Sequence, residues 1–163
     1  MKTIFFVRHA KSSWDDTELS DSDRPLKDRG VNDSYEMADR LVKKKINPDL
    51  IFSSFAVRAI HTATIFAGAL KYPYDQICIN ESLYGASIKD ISEMIMKLDN
   101  KFQNVMIFGH NPYTTEIVNE LISESIENVP TCGVVCIKFK IDKWKNLGDS
   151  KGKLIFFDYP KNK

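Results

Sequence analysis

A single pattern constrains this chain more than any other: a short apolar run followed by a segment of helical spacing, repeated four times. Ile4–Val7 is β-branched and aromatic, the composition of a buried strand. After a turn-like Pro25–Gly30, Val31, Tyr35, Ala38, Leu41, Val42 and Ile46 recur every three to four residues, and Asn47-Pro48 ends that helix. Leu50-Ile51-Phe52 reads as the second strand, with Ser53-Ser54 as caps before a helix over Ala56–Leu70. Ile77-Cys78-Ile79 is a third strand, and Ile88, Ile91, Ile95 and Leu98 mark the third helix. Val105–Phe108 is the fourth strand, followed by a helix through about Ile122, with Asn111 as its cap and Pro112 in its first position. Such alternation predicts an α/β fold, a three-layer α/β/α sandwich around a mainly parallel sheet. Val134–Phe139 and Leu154–Phe157 have no helical pattern between them and predict an antiparallel edge.

Length sets the scale of this fold. A chain of 163 residues, 43% hydrophobic, fits one domain spanning residues 1–163 and buries enough surface for a core without a structural metal or disulfide. Its 23 basic against 22 acidic residues leave a net charge of +1, which disfavours partners bound by a strongly basic field: nucleic acid or an anionic membrane. Three cysteines in no framework spacing suit a reducing compartment. The opening apolar run is too short for a signal peptide or a membrane span, so the expected location is cytoplasmic. Oligomeric state is not written in the sequence.

In an open sheet of this type, ligands bind beyond the carboxyl ends of the strands. Arg8 and His9 follow the first strand, Ser53, Ser54 and Arg58 the second, Glu81 the third, and Gly109-His110-Asn111 the fourth. Two arginines, two histidines and a carboxylate on one rim describe a phosphoryl site. Guanidinium forks match phosphoryl oxygens and stabilise the charge that builds on them during transfer. The helix starting near Pro112 adds N–H groups and a positive dipole end, with Asn111 a further candidate phosphate ligand. A neutral imidazole can attack phosphorus. A carboxylic acid nearby can protonate the leaving group and then, as carboxylate, activate water. Taken singly, each residue has a plainer role as a strand-end charge, a solvated side chain or a helix start; their coincidence at one edge argues for the site. Cys132 and Cys136 read as small buried hydrophobes rather than zinc ligands, and Lys43-Lys44-Lys45 as a solvated helix end.

The stretch Val7-Arg8-His9-Ala10-Lys11-Ser12 resembles the Arg-His-Gly motif of the histidine phosphatase superfamily, which includes phosphoglycerate mutases and acid phosphatases. The likeness is closer to its short, SixA-type phosphohistidine phosphatase branch. It continues through Asp23-Arg24-Pro25-Leu26-Lys27-Asp28-Arg29-Gly30, Ser53-Ser54 with Arg58 and Thr62, Leu83-Tyr84, Gly109-His110-Asn111-Pro112 and Tyr159-Pro160-Lys161. The resemblance implies that His9 is transiently phosphorylated, that Arg8, Arg58 and His110 complete the pocket, and that neither metal nor organic cofactor is used. Asn80-Glu81-Ser82-Leu83-Tyr84-Gly85 resembles the mutase segment bearing the proton donor, which points to Glu81. Ala10 stands where the wider family has glycine, and His61 where this branch often has glutamine.

The expected activity is therefore hydrolysis through a covalent phosphohistidine on His9, acting on a phosphohistidine protein. A small phosphate ester, a mutase-like phosphotransfer and a non-catalytic phospho-ligand binding module are the alternatives. Short length favours the hydrolase, because a mutase must exclude water and needs loops over its pocket. The candidate loops are Trp14–Arg24 and Asp142–Gly152.

Overall fold

The computed structural model describes residues 1–162. Its chain order is β1 (Lys2–Arg8), α1 (Asp28–Lys43), β2 (Leu50–Ser53), α2 (Val57–Ala69), β3 (Cys78–Ile79), α3 (Ile88–Met96), β4 (Asn104–Gly109), α4 (Tyr113–Leu121), β5 (Val134–Phe139) and β6 (Lys153–Asp158). The strands form one sheet in the order β3-β2-β4-β1-β5-β6. β1, β2, β3 and β4 are mutually parallel, whereas β5 is antiparallel to both β1 and β6. The closing pair is antiparallel as its sequence indicates. The strand that opposes the rest is β5, and β6, reversing again, supplies the edge.

Alternation along the strands divides the core between two faces, since successive side chains point to opposite sides. Ile4 and Phe6 of β1, with Val105 and Ile107 of β4, pack under α3 and α4. Phe5 and Val7, with Met106 and Phe108, pack under α1 and α2 through Met37, Leu41, Ala63 and Phe66. This is the three-layer sandwich. Cys132 and Cys136 lie buried together in the second cluster, although Cys132 precedes β5 and adopts a left-handed φ of 62°. No helix of the described residues is long and apolar enough to cross a membrane.

Two local expectations shift. α1 starts at Asp28, inside the stretch that reads as a turn, because Gly30 lets the helix pack onto the backbone of Lys11. α4 starts one residue later than expected, with Pro112 as its cap. The Asn111 side-chain oxygen still accepts from the Thr115 amide, at 3.3 Å.

Asp142–Gly152 does not cover the site. Its Trp144 is fully buried, donating from Nε1 to the Phe102 carbonyl at 3.0 Å, beside Lys2 at the opposite end of β1 from Arg8. The buried Lys2 ammonium is held there by the carbonyls of Asn100 (2.6 Å) and Phe102 (2.8 Å). An apolar residue within a polar loop thus closes the floor of the core, leaving Trp14–Arg24 as the loop over the rim.

Candidate active site

The backbone around His9 is fixed from two sides. Its amide donates to Gly109 at the end of β4 (3.0 Å), and its carbonyl accepts from the Cys132 amide (3.1 Å). The Ala10 amide donates to Thr62 Oγ1 at 3.0 Å, and that hydroxyl donates to the Arg58 carbonyl at 2.7 Å. One threonine on α2 therefore ties the segment bearing His9 to the turn bearing Arg58. Ala10 does not take a positive φ, so glycine's conformational freedom is not required there.

His9 is buried, with Nδ1 2.7 Å from the Ala10 carbonyl. A carbonyl can only accept, so Nδ1 carries the proton and Nε2 keeps its lone pair. Burial above all, with the charges of His110, Arg58 and Arg8, lowers the His9 pKa from 6.5 to about 3, against the opposing Ala10 hydrogen bond. The imidazole is thus neutral at physiological pH, with the Nε2 lone pair available.

His110 stands 5.0 Å from it, ring centroid to ring centroid. Its Nε2 pairs with Ser54 Oγ at 2.8 Å, and its Nδ1 is buried without a partner. Burial, followed by the Arg58 charge, lowers its pKa to about 4. Tyr84 meets the same ring edge-on at 5.5 Å.

Arg8 anchors one fork nitrogen on the Val129 carbonyl (3.0 Å) and leaves Nε buried and unpaired. Arg58 donates to the backbone carbonyl of Asp21 (2.6 Å) and to its carboxylate (3.0 Å), again leaving Nε unpaired. Arg24 donates to Ser12 Oγ at 3.0 Å and stacks 3.4 Å over the Trp14 ring. Its Nε lies 3.2 Å from Asp21, close enough for an ion pair but misaligned for a hydrogen bond. Every buried side-chain nitrogen or oxygen found without a partner among the described residues belongs to Arg8, Arg24, Arg58 or His110. Orphaned buried donors cost about 1–3 kcal/mol each. Their concentration around His9 fits an anion whose oxygens satisfy them together.

The structure thus brings Arg8, His9, Arg58 and His110 together. Asn111 has a supporting position: its amide nitrogen donates to Asn128 Oδ1 (2.9 Å) and to the Val129 carbonyl (3.1 Å), the same carbonyl that anchors Arg8. Glu81 stays outside this network. It opens a short 3-10 turn and is exposed, and its side chain forms no hydrogen bond or ion pair among the described residues. His61 is exposed on α2.

The carboxylate that does reach the site is Asp21. Its Oδ2 accepts from Tyr84 at 2.5 Å as well as from Arg58, and the Tyr84 hydrogen bond leads the effects that hold its pKa below the ordinary carboxylate range. Asp21 is carried by a loop whose two limbs pair through Ser13 N to the Pro25 carbonyl (2.8 Å) and Lys27 N to the Lys11 carbonyl (2.9 Å). Sequence reasoning missed Asp21, Arg24 and Tyr84. Arg24 and Tyr84 lie in stretches that resemble the family, but nothing local to Asp21 marks it.

Comparison with known proteins agrees with this geometry. Residues 4–78 match the model of the histidine phosphatase superfamily (branch 1). The fold superposes on the protein histidine phosphatase SixA, solved with tungstate, with a TM-score of 0.85 at 23% identity, covering 98% of each chain. It superposes equally on a putative phosphohistidine phosphatase SixA from Agrobacterium tumefaciens, with a TM-score of 0.84 at 25% identity and 98% of each chain. Phosphoglycerate mutase 1 of Saccharomyces cerevisiae is 32% identical over 110 residues, which cover 63% of this chain and 44% of the mutase. The N-terminal half of the chain thus resembles the histidine phosphatase superfamily, and the chain as a whole has the fold of the SixA structures.

Proposed function

We propose that this protein is a phosphatase that removes the phosphoryl group from protein phosphohistidine in two steps through His9. The observation that carries the reading is the neutral His9 imidazole, its Nδ1 held by the Ala10 carbonyl, beside the unpaired donors of Arg8, Arg58 and His110. In the first step the Nε2 lone pair attacks phosphorus, the bond from phosphorus to the substrate breaks, and the departing nitrogen takes a proton from solvent. In the second, water attacks the phosphoryl group on His9, the P–N bond breaks, and inorganic phosphate leaves with the imidazole neutral again. Arg8, Arg58 and His110 donate to the three equatorial oxygens, where charge concentrates in both transition states.

Leaving-group chemistry favours phosphohistidine over an ester. Glu81 is exposed outside the network, and Asp21, held low by Tyr84 and Arg58, is a carboxylate at neutral pH and has no proton to give. An imidazole leaving group asks little of a general acid, whereas an alkoxide asks much.

Rapid alkaline denaturation after exposure to a labelled phosphodonor preserves a phosphoramidate and should trap label on His9. His9→Asn should trap none and lose at least about a thousandfold in kcat. A panel of phosphohistidine peptide, activated aryl phosphate, sugar phosphates and nucleotides should rank the first two highest by kcat/KM. A protein that binds tungstate but never takes up label would be a phospho-ligand binding module. Preference for sugar phosphates would indicate a small-ester phosphatase, and transfer to an acceptor other than water a mutase-like enzyme.

A further inference from the structure

Arg8 borders more than the phosphoryl site. A groove of about 420 Å³ opens beside it, lined also by Lys11, Arg29 and Lys161, with Asp33 as its one carboxylate. Asp33 pairs with Arg29 at 3.6 Å, which leaves Lys11 and Lys161 exposed without an acidic partner among the described residues. Against a net charge of +1 for the whole chain, four cations around one groove are a local concentration. The cleft on the other side of Arg8 has the opposite character, lined by Glu116 and Glu127 with Arg8 as its only cation.

The wall carrying Lys161 is built rather than incidental. From α1, Arg40 donates to the carbonyls of Tyr159 (3.1 Å), Pro160 (3.1 Å) and Asn162 (3.3 Å) and to the Asp158 carboxylate (2.8 Å). One guanidinium thus fixes the backbone of the closing segment against the body, with Pro160 buried and Lys161 exposed over the groove.

We infer that this groove takes an acidic segment of the phosphorylated protein, next to the phosphorylated residue, and so sets both substrate preference and the direction in which the segment lies. The inference rests on the phosphatase reading above. Charge complementarity determines the occupant. An acidic flank is attracted by Lys11, Arg29 and Lys161 and repelled by Glu116 and Glu127, so it settles on one side of Arg8 only. At the separations of neighbouring side chains in partly screened surroundings, one such charge contact changes affinity about three- to tenfold.

The test pairs turnover with equilibrium binding. Labelled peptides carrying a stable phosphonate analogue of phosphohistidine, with acidic or neutral flanks, are titrated by fluorescence anisotropy. The matching phosphohistidine peptides and an activated aryl phosphate are followed by kcat/KM. The wild type should bind the acidic peptide about three- to tenfold more tightly than the neutral one at low salt, with the preference fading at high salt. Lys161→Glu should abolish or reverse that ratio and Arg29→Gln should reduce it, while Lys89→Glu, a reversal on α3, should leave it intact. Arg40→Met should weaken the preference by releasing the tail. Equal affinity for the two peptides in the wild type, or a ratio indifferent to Lys161→Glu, would overturn the inference even with the aryl phosphate turned over normally. Absence of aryl phosphate turnover, with the binding preference and its loss in Lys161→Glu intact, would instead remove the phosphatase reading and leave the groove standing.

Discussion

Acidification should weaken this fold through its two buried histidines, His9 and His110, by an amount that follows from their burial. Burial holds His9 at about 3 and His110 at about 4, against 6.5 in the unfolded chain. Both are depressed, so the unfolded state binds protons first. The stability they contribute is complete above about pH 6.5 and is lost as pH falls toward the folded-state values. Each slope approaches about 1.4 kcal/mol per pH unit. Between about pH 7.5 and 4.5 each histidine then accounts for roughly 2–3 kcal/mol, and the pair for roughly 5 kcal/mol. That is comparable with the whole stability of a marginal domain, about 5–15 kcal/mol. The assay is urea unfolding at a series of pH values for the wild type, His9→Asn, His110→Asn and the double variant. Carboxylates titrate in all four proteins and cancel in the differences. Each single substitution should flatten the acid-side loss by roughly 2–3 kcal/mol over that window, whatever it does to stability at neutral pH. Parallel curves for all four proteins would refute the reasoning. They would mean that the histidines are solvated enough to protonate in place, and His9 would then not be a preformed neutral nucleophile.

Asp21→Asn should strengthen tungstate inhibition about three- to tenfold, because the Asp21 carboxylate competes with an anion for Arg58 and repels it; weaker inhibition would make Asp21 an organiser of the site instead. Glu81→Gln should change kcat/KM by less than about threefold on aryl phosphate and sugar phosphate alike, and a large loss confined to poor leaving groups would restore Glu81 as the general acid. Gly30→Ala should destabilise the protein by about 1–3 kcal/mol in urea unfolding and lower kcat/KM, since a Cβ there would collide with the Lys11 backbone at the root of the Trp14–Arg24 loop. An alanine variant with wild-type stability and activity would show that this approach of helix and loop is slack.

The sequence by itself determined the layers of this protein and most residues of its candidate site. Apolar runs of period two and helices of period three to four are local properties, and a strand's hydrophobic content dictates burial whatever its neighbours do. That is why β1, β2 and β4 were legible within a residue or two, and why Arg8, His9, Arg58 and His110 could be placed on one rim: each follows directly from a strand end or a first helical turn. The tertiary structure decided what local spacing does not encode. Asp21 meets Arg58 across 37 positions and Tyr84 across 63, through a loop path set by the packing of Gly30 on Lys11. Trp144 lies in a loop that reads as polar, yet it fills the floor of the core beside a fully buried Lys2. Glu81 sits at the expected strand end, but its exposed carboxylate has no partner among the described residues, because a rim position fixes where a residue's backbone lies and not which partners its side chain finds. The protonation state of His9 depends on the fold in the same way. A histidine after a first strand is a sequence fact; a neutral one, with its proton on Nδ1, required the Ala10 carbonyl and the removal of water that only the folded chain provides.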